Sequence, residues 1–395
     1  MRILILSCNT GEGHNSTAAA VRDVAEASGH EVEIWDALSF WPKGTNRFIC
    51  SGHVFLYKHM PKLFGIGYRF FEMASEKGGE KIEEGNPPSN TGLTLLAKRP
   101  SEKLYKKICE KQFDVVVSVH VFSSLMMTDI RRYHGNDLPW VFIATDYTCS
   151  PGVNACDFDH CFIPSPFLEA EFLSLGVKKE LLRPTGIPVK QIFSTRIDQD
   201  EAKSKLHLPA DKRIVLMMSG SMGCGPIEKT AEAILNILPD DTVLVAICGK
   251  NQKLYDYFTS LPQNQKTLFP VGYTKKVPFY MDAADLIVTK AGGLSSTEAA
   301  TKHLPMVFMD AIPGLEVHNR DFFVNHGFAL SGDKPEEIAT AIADLLCDPE
   351  RLAAMRRSMS DSFKGDAAEQ ILSVIEETVE QKRREENVPE EAAVL

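Results

Sequence analysis

The sequence predicts an α/β architecture of two Rossmann-like domains facing a cleft, and three observations carry that expectation. Short apolar runs alternate with longer helix-patterned stretches through most of the chain, the signature of parallel strands joined by crossover helices. A length of 395 residues exceeds what one hydrophobic core usually organises, so two domains are expected. Glycine-rich turns follow strand candidates in both halves, at the strand ends where α/β proteins hold their ligands.

The first half offers strands over Arg2–Ser7, Glu31–Trp35, Asp114–His120, Trp140–Thr145 and Cys161–Pro164. The opening run is too short for a signal peptide and leads straight into a polar glycine loop, so it reads as a first strand. The second half repeats the style over Ile214–Ser219, Thr242–Cys248, Leu268–Val271, Leu286–Thr289 and Met306–Met309. Between the halves, Arg183-Pro184-Thr185-Gly186-Ile187-Pro188-Val189 interrupts any regular element and suits a linker. The expected division is 1–189, 190–380 and a charged tail over 381–395. Residues 75–102 are polar, with paired glycines and paired prolines, and read as a long surface excursion.

Composition narrows the function. Hydrophobic residues at 44% and charged residues at 24% place the chain among globular proteins rather than disordered or fibrous ones. A formal net charge of −10 argues against nucleic acid as a partner, so any anionic partner must meet a local patch. The nine cysteines are scattered without a CxxC pair, which disfavours a disulfide framework or zinc knuckle and points to a reducing, cytoplasmic setting. No run of about 18 apolar residues occurs, so membrane contact would be peripheral.

Such a patch is present. From Lys43 to Arg69 there are five Lys or Arg residues and no Asp or Glu. Phe55 and Phe64 are interleaved with Lys58, Lys62 and Arg69, the mixture expected of a segment lying in an anionic headgroup layer. An ordinary helix with its aromatics in the core would carry the same residues.

The loop Gly11-Glu12-Gly13-His14 follows the first strand and opens a helix. Glycines let the backbone approach a ligand closely, and the helix N-terminus favours negative charge, so Gly13 is a candidate for the donor side of a substrate site. Asp36, at the end of the second strand, would complete a dinucleotide fingerprint, but Ser16 replaces the third glycine and His14 intrudes where a pyrophosphate needs bare backbone. A histidine at the mouth of such a loop is a natural general base; capping or packing is the plainer alternative.

In the second half, Lys290-Ala291-Gly292-Gly293-Leu294-Ser295-Ser296-Thr297-Glu298 ends a strand in a glycine pair and opens a helix with hydroxyls and a carboxylate. The amides of Gly292 and Gly293, the hydroxyls of Ser295 and Ser296 and the helix dipole suit a diphosphate without a metal. Glu298 would accept hydrogen bonds from ribose hydroxyls, or else form a capping box with Ser295; spacing alone does not separate the two. Glu316 and Asn319, behind Pro313-Gly314, fall on one side of a further helix and suit sugar hydroxyls. Gly220 and Ser221 belong to another glycine loop, which a flexible connection would explain equally well. Asp157-Phe158-Asp159 and Asp198-Gln199-Asp200 match an Asp-x-Asp metal motif, but tripeptides this common are read as structural.

Taken together and in order, Gly11-Glu12-Gly13-His14, Ala144-Thr145-Asp146-Tyr147, Pro184-Thr185-Gly186-Ile187-Pro188-Val189, Lys290-Ala291-Gly292-Gly293 with Ser295 and Glu298, and Pro313-Gly314 with Glu316 and Asn319 resemble the monogalactosyldiacylglycerol synthase and processive diacylglycerol glucosyltransferase family. The resemblance spans roughly residues 1–375. It implies the GT-B glycosyltransferase fold and inverting transfer of glucose or galactose from a UDP-hexose to diacylglycerol or a related lipid. It implies no cofactor and no obligatory metal, and a peripheral place on the inner face of the membrane. It makes His14 the base for the acceptor hydroxyl, Glu298 the ribose-binding acid, and Gly272-Tyr273 the segment whose backbone reads uracil. Asp146 is a candidate for orienting His14 or binding the acceptor, with a core or turn role as the equal alternative. Two departures stand out: Asp146-Tyr147 runs into Thr148-Cys149 where many members have histidine then tryptophan, and Leu315 replaces the glutamine before Glu316. The rivals are an N-acetylglucosaminyltransferase using UDP-GlcNAc on a polyprenyl-linked lipid, and a UDP-sugar-binding regulator that transfers nothing.

Overall fold

A computed structural model describes residues 1–9, 11–42, 92–218, 227–261, 267–309, 311 and 314–386. The chain forms two compact units, Met1–Lys190 together with Asp366–Leu395, and Gln191–Gly365.

The first unit is built on β1 (Arg2–Ser7), β2 (Glu31–Asp36), β3 (Val115–Ser118), β4 (Trp140–Ile143), β5 (His160–Ile163) and β6 (Leu182–Pro184). All are parallel, in the order β2-β1-β3-β4-β5-β6. β3 and β4 are buried at every position, as parallel strands covered on both faces must be. Helices Glu12–Ala27, Gly92–Lys111 and Val121–His134 supply cover. The strand order reverses direction between β1 and β3, which opens a crevice at their carboxyl ends.

The second unit repeats the plan with β7 (Arg213–Met218), β8 (Thr242–Ile247), β9 (Leu268–Val271), β10 (Leu286–Thr289), β11 (Met306–Met309) and β12 (Ala329–Gly332). Their order is β12-β11-β10-β7-β8-β9, the doubly wound arrangement. Its switch point lies between β7 and β10, the strand that leads into the Gly292–Gly293 turn.

Three expectations are corrected. The last helix, Ala367–Glu386, does not close the second domain but returns to the first unit. Its Ile371, Leu372, Ile375 and Val379 form a stripe buried against Ala18, Val21 and Ala25 of the first helix and against Ile3, Ile5 and Val117. Arg383 reaches Asp114 at 2.6 Å, so part of the supposed tail is ordered helix. Residues 92–102 are helical rather than excursion, because Leu104 and Ile108 continue the same helix and bury one face of it. Two short edge strands, β6 and β12, were not expected; β6 occupies the start of the supposed linker.

Among the described residues, the second unit contains one buried ion pair. Lys302 Nζ donates to Asp282 Oδ2 at 2.8 Å and to the Thr195 carbonyl, with both charged side chains almost wholly inaccessible. Burial holds the Lys302 ammonium below the usual lysine range despite the Asp282 carboxylate.

Candidate functional site

Residues of the expected site fall on both units, and each set stands at the carboxyl end of its own sheet. On the first unit, Gly11 caps the helix Glu12–Ala27 with no side-chain hydrogen bond. The loop before it is held from below: Ser7 Oγ donates to Asn15 Oδ1 (2.7 Å), Asn15 Nδ2 to Asn9 Oδ1 (2.9 Å), and Asn9 Nδ2 to Asp36 Oδ2 (2.8 Å). Asp36 also accepts from the Leu38 amide, so its carboxylate fastens the loop. That use fits a structural part better than the ribose-binding part of a dinucleotide fingerprint.

His14 and Gly13 open the helix. His14 Nδ1 lies 3.0 Å from the Val119 carbonyl and 3.1 Å from Thr145 Oγ1. A carbonyl only accepts, so Nδ1 carries the proton and the lone pair belongs to Nε2, an assignment made from the hydrogen-bond pattern. Asp146 stands one residue beyond Thr145 at the end of β4, half-buried. Past it, Glu171 accepts from Thr148 Oγ1 (2.6 Å) and from the Cys149 amide (2.7 Å), which anchors the segment that departs from the family pattern. Burial pushes the Cys156 thiol up to about 12 and raises the Cys149 and Cys161 thiols as well, which disfavours the thiolate in all three.

One residue here had escaped notice. His120, two residues past β3, packs its ring against His14 at 4.6 Å between centroids and 69° between planes. Its position after a strand and before a helix was legible; the approach to His14 was not, since it depends on β1 and β3 being neighbours.

On the second unit, Gly292 caps the helix Gly293–Thr301, again with no side-chain bond. Ser295 is therefore the third helical residue and Glu298 lies in the second turn, a placement that rules out the capping box. The cap residue, a glycine, supplies no side-chain acceptor to the first amides of this helix, and Glu298 is half-buried one turn further on. An ideal Cβ on Gly292, Gly11 or Gly272 would meet nothing within 4 Å, so the fold itself does not demand glycine there.

Two of these residues lie deeper than their neighbours. Ser296 is fully buried with its hydroxyl out of solvent, whereas Ser295 is half-buried. Asn319 is 1% exposed, and its Nδ2 donates to the Ala291 carbonyl at 3.0 Å. That bond braces the turn from behind. Glu316 keeps a half-buried place in the first turn of the helix Leu315–Asn325. That helix starts at Gly314, whose φ of 114° no side chain tolerates easily. Tyr273, after β9, is 65% exposed with Lys250 Nζ 5.7 Å from its ring centre. Gly220, Ser221, Lys58, Lys62, Arg69, Phe55 and Phe64 lie outside the described residues.

Neither Asp-x-Asp tripeptide is arranged for a metal. Asp159 takes a two-pronged bond from Arg131 (2.8 and 3.1 Å), and Asp198 caps the helix Gln199–Leu206. Among the described residues no cluster of three or more His, Cys, Asp or Glu is placed to hold a metal ion, and no helix is long and apolar enough to cross a membrane.

Known proteins resemble this chain in both halves. A model of monogalactosyldiacylglycerol (MGDG) synthase matches residues 14–189, and one of the glycosyltransferase family 28 C-terminal domain matches 214–371. A processive diacylglycerol beta-glucosyltransferase of Bacillus subtilis is 25% identical over 95% of this chain and 94% of its own. A probable chloroplastic monogalactosyldiacylglycerol synthase 2 of Oryza sativa subsp. japonica is 28% identical over 86% of this chain and 72% of its own. In fold, the chain resembles MurG of Acinetobacter baumannii, with a TM-score of 0.63 at 15% identity over 95% of this chain and 99% of the other.

Proposed function

Because this chain belongs to the family of monogalactosyldiacylglycerol synthases and processive diacylglycerol glucosyltransferases, we propose that it transfers a hexose from a UDP-sugar to diacylglycerol with inversion, making a membrane glycolipid. The observation that carries the chemistry is the Val119 carbonyl on His14 Nδ1, which leaves the basic lone pair on Nε2. In this reading Nε2 takes the proton of the acceptor hydroxyl as its oxygen attacks the anomeric carbon. The carbon–oxygen bond to the diphosphate breaks, and UDP departs with the bonding pair. The amides at Gly292 and Gly293 and the Ser295 hydroxyl meet the departing charge. Asn319 keeps the turn in shape from behind, and Asp146 helps to place the acceptor. Glu298 holds the ribose, the backbone at Gly272-Tyr273 reads uracil, and Glu316 faces the sugar.

The test is product analysis after incubation with diacylglycerol vesicles and a panel of labelled UDP-sugars. A β-linked hexosyl-diacylglycerol is expected from UDP-glucose or UDP-galactose. Transfer of N-acetylglucosamine to a polyprenyl-linked lipid, or tight UDP binding with no lipid product from any donor, would overturn the proposal in favour of one of its rivals.

Glu298→Ala is expected to weaken UDP binding by about 1.5–3 kcal/mol, the range for a hydrogen bond involving a charged group. Unchanged affinity by calorimetry in a folded variant would remove Glu298 from the nucleotide site.

Work at a cytoplasmic membrane face is part of the same proposal, resting on the Lys43–Arg69 run. Each cation near an anionic surface contributes about 1 kcal/mol, so neutralising Lys58, Lys62 and Arg69 together should cost several and flatten the salt dependence of vesicle binding. Co-sedimentation decides it: a triple variant that binds anionic vesicles like wild type refutes the patch.

A further inference from the structure

We propose that His120 is the acceptor-binding partner of His14, a neutral N–H donor that grips a second oxygen of the lipid beside the hydroxyl that reacts. The inference rests on the proposed transfer to a glycerolipid.

Both nitrogens of His120 are assigned by its surroundings. Nδ1 accepts from the Phe122 amide at 3.1 Å, capping the helix Val121–His134. An N–H at Nδ1 would face that amide N–H head-on, so the ring is the neutral tautomer with its proton on Nε2. Its backbone is held as firmly: the His120 carbonyl accepts from the hydroxyls of Ser118 (3.0 Å), Ser123 (2.8 Å) and Ser124 (3.2 Å). The preceding carbonyl, of Val119, fixes the opposite tautomer in His14.

One dipeptide thus sets two imidazoles 4.6 Å apart in complementary states, His14 with a lone pair on Nε2 and His120 with a proton on Nε2. An acceptor–donor pair of this kind suits a hydroxyl that gives its proton and a nearby ester carbonyl that accepts. Diacylglycerol has that pattern, with an ester beside its free hydroxyl. Capping a helix does not require a histidine, since Asn, Asp and Ser do it at least as well. Support by three serine hydroxyls is the kind of shell that fixes a functional side chain.

The experiment uses the full chain, His120→Asn, and two acceptors: diacylglycerol and its dialkyl ether analogue, which lacks the ester carbonyl. Asparagine keeps the cap, so the melting temperature and UDP affinity should match wild type. With diacylglycerol, kcat/KM should fall about tenfold, the scale of one lost hydrogen bond; with the ether, where the strong acceptor is already gone, the fall should be much smaller. Wild-type rates with both acceptors would reduce His120 to a cap and overturn the proposal. An equal fall with both would place its action on His14 rather than on the lipid, and overturn it too. A wild-type chain inactive on either lipid would fail the proposed function itself, an outcome distinct from the other two.

Discussion

His14→Ala is expected to lower turnover by about 10²-fold or more while leaving UDP affinity nearly intact, the usual scale for removing a positioned proton acceptor. The separation follows from where the parts sit. His14 belongs to the first unit, on a crest held by Ser7, Asn9, Asn15 and Asp36, whereas the Gly292 turn and Glu298 belong to the second. Removing the imidazole leaves the Gly11-capped helix and that loop network in place, so the loss should appear in kcat. Steady-state glycolipid synthesis together with UDP calorimetry checks both halves of the expectation. A variant that keeps most of its turnover would sink the general-base role.

The largest stability effect is expected at the buried ion pair. Lys302→Ala leaves the Asp282 carboxylate in the interior without its ammonium, and breaking a buried pair on one side typically costs about 3–5 kcal/mol. Asp282 is already penalised: burial raises its carboxyl above the usual aspartate range even with Lys302 beside it. The pair is therefore a poor source of net stability, and the double replacement Lys302→Met with Asp282→Leu should recover most of what the single change loses. Urea denaturation of wild type, single and double variants measures this. A single variant with the wild-type midpoint would show that water or a rearranged neighbour takes over from Lys302.

Much of this was legible in the residues, and the failures have physical causes. The ten expected strands were found because parallel strands buried on both faces are written as unbroken apolar runs, as in Val115–Ser118. β6 and β12 escaped because they are short edge strands, one ending in Pro184 and the other in Gly332. By spacing Ser295 suits a helix cap as well as a diphosphate ligand, because hydroxyl residues usually cap helices. The helix in fact begins two residues earlier, on a glycine, and only the backbone course shows that. Asn319 has the spacing of a sugar ligand, and only the fold shows that its amide also reaches the Ala291 carbonyl, supplied by a different strand connection. His120 was taken for the end of a strand, since nothing local ties it to His14. The last helix was assigned to the wrong domain because its apolar stripe, Ile371, Leu372, Ile375 and Val379, says that it must be buried without saying against what.

That last helix also bears on the order in which the protein is made. The chain leaves the first unit at Lys190 and comes back at Asp366, so the second unit is a continuous insert and the first is split around it. During synthesis from the amino terminus, residues 191–365 leave the ribosome as a complete folding unit while the first still lacks the helix that covers Ala18, Val21 and Ala25. The unit begun first is thus completed after its insert, and until the last helix emerges Ala18, Val21 and Ala25 lack their apolar cover.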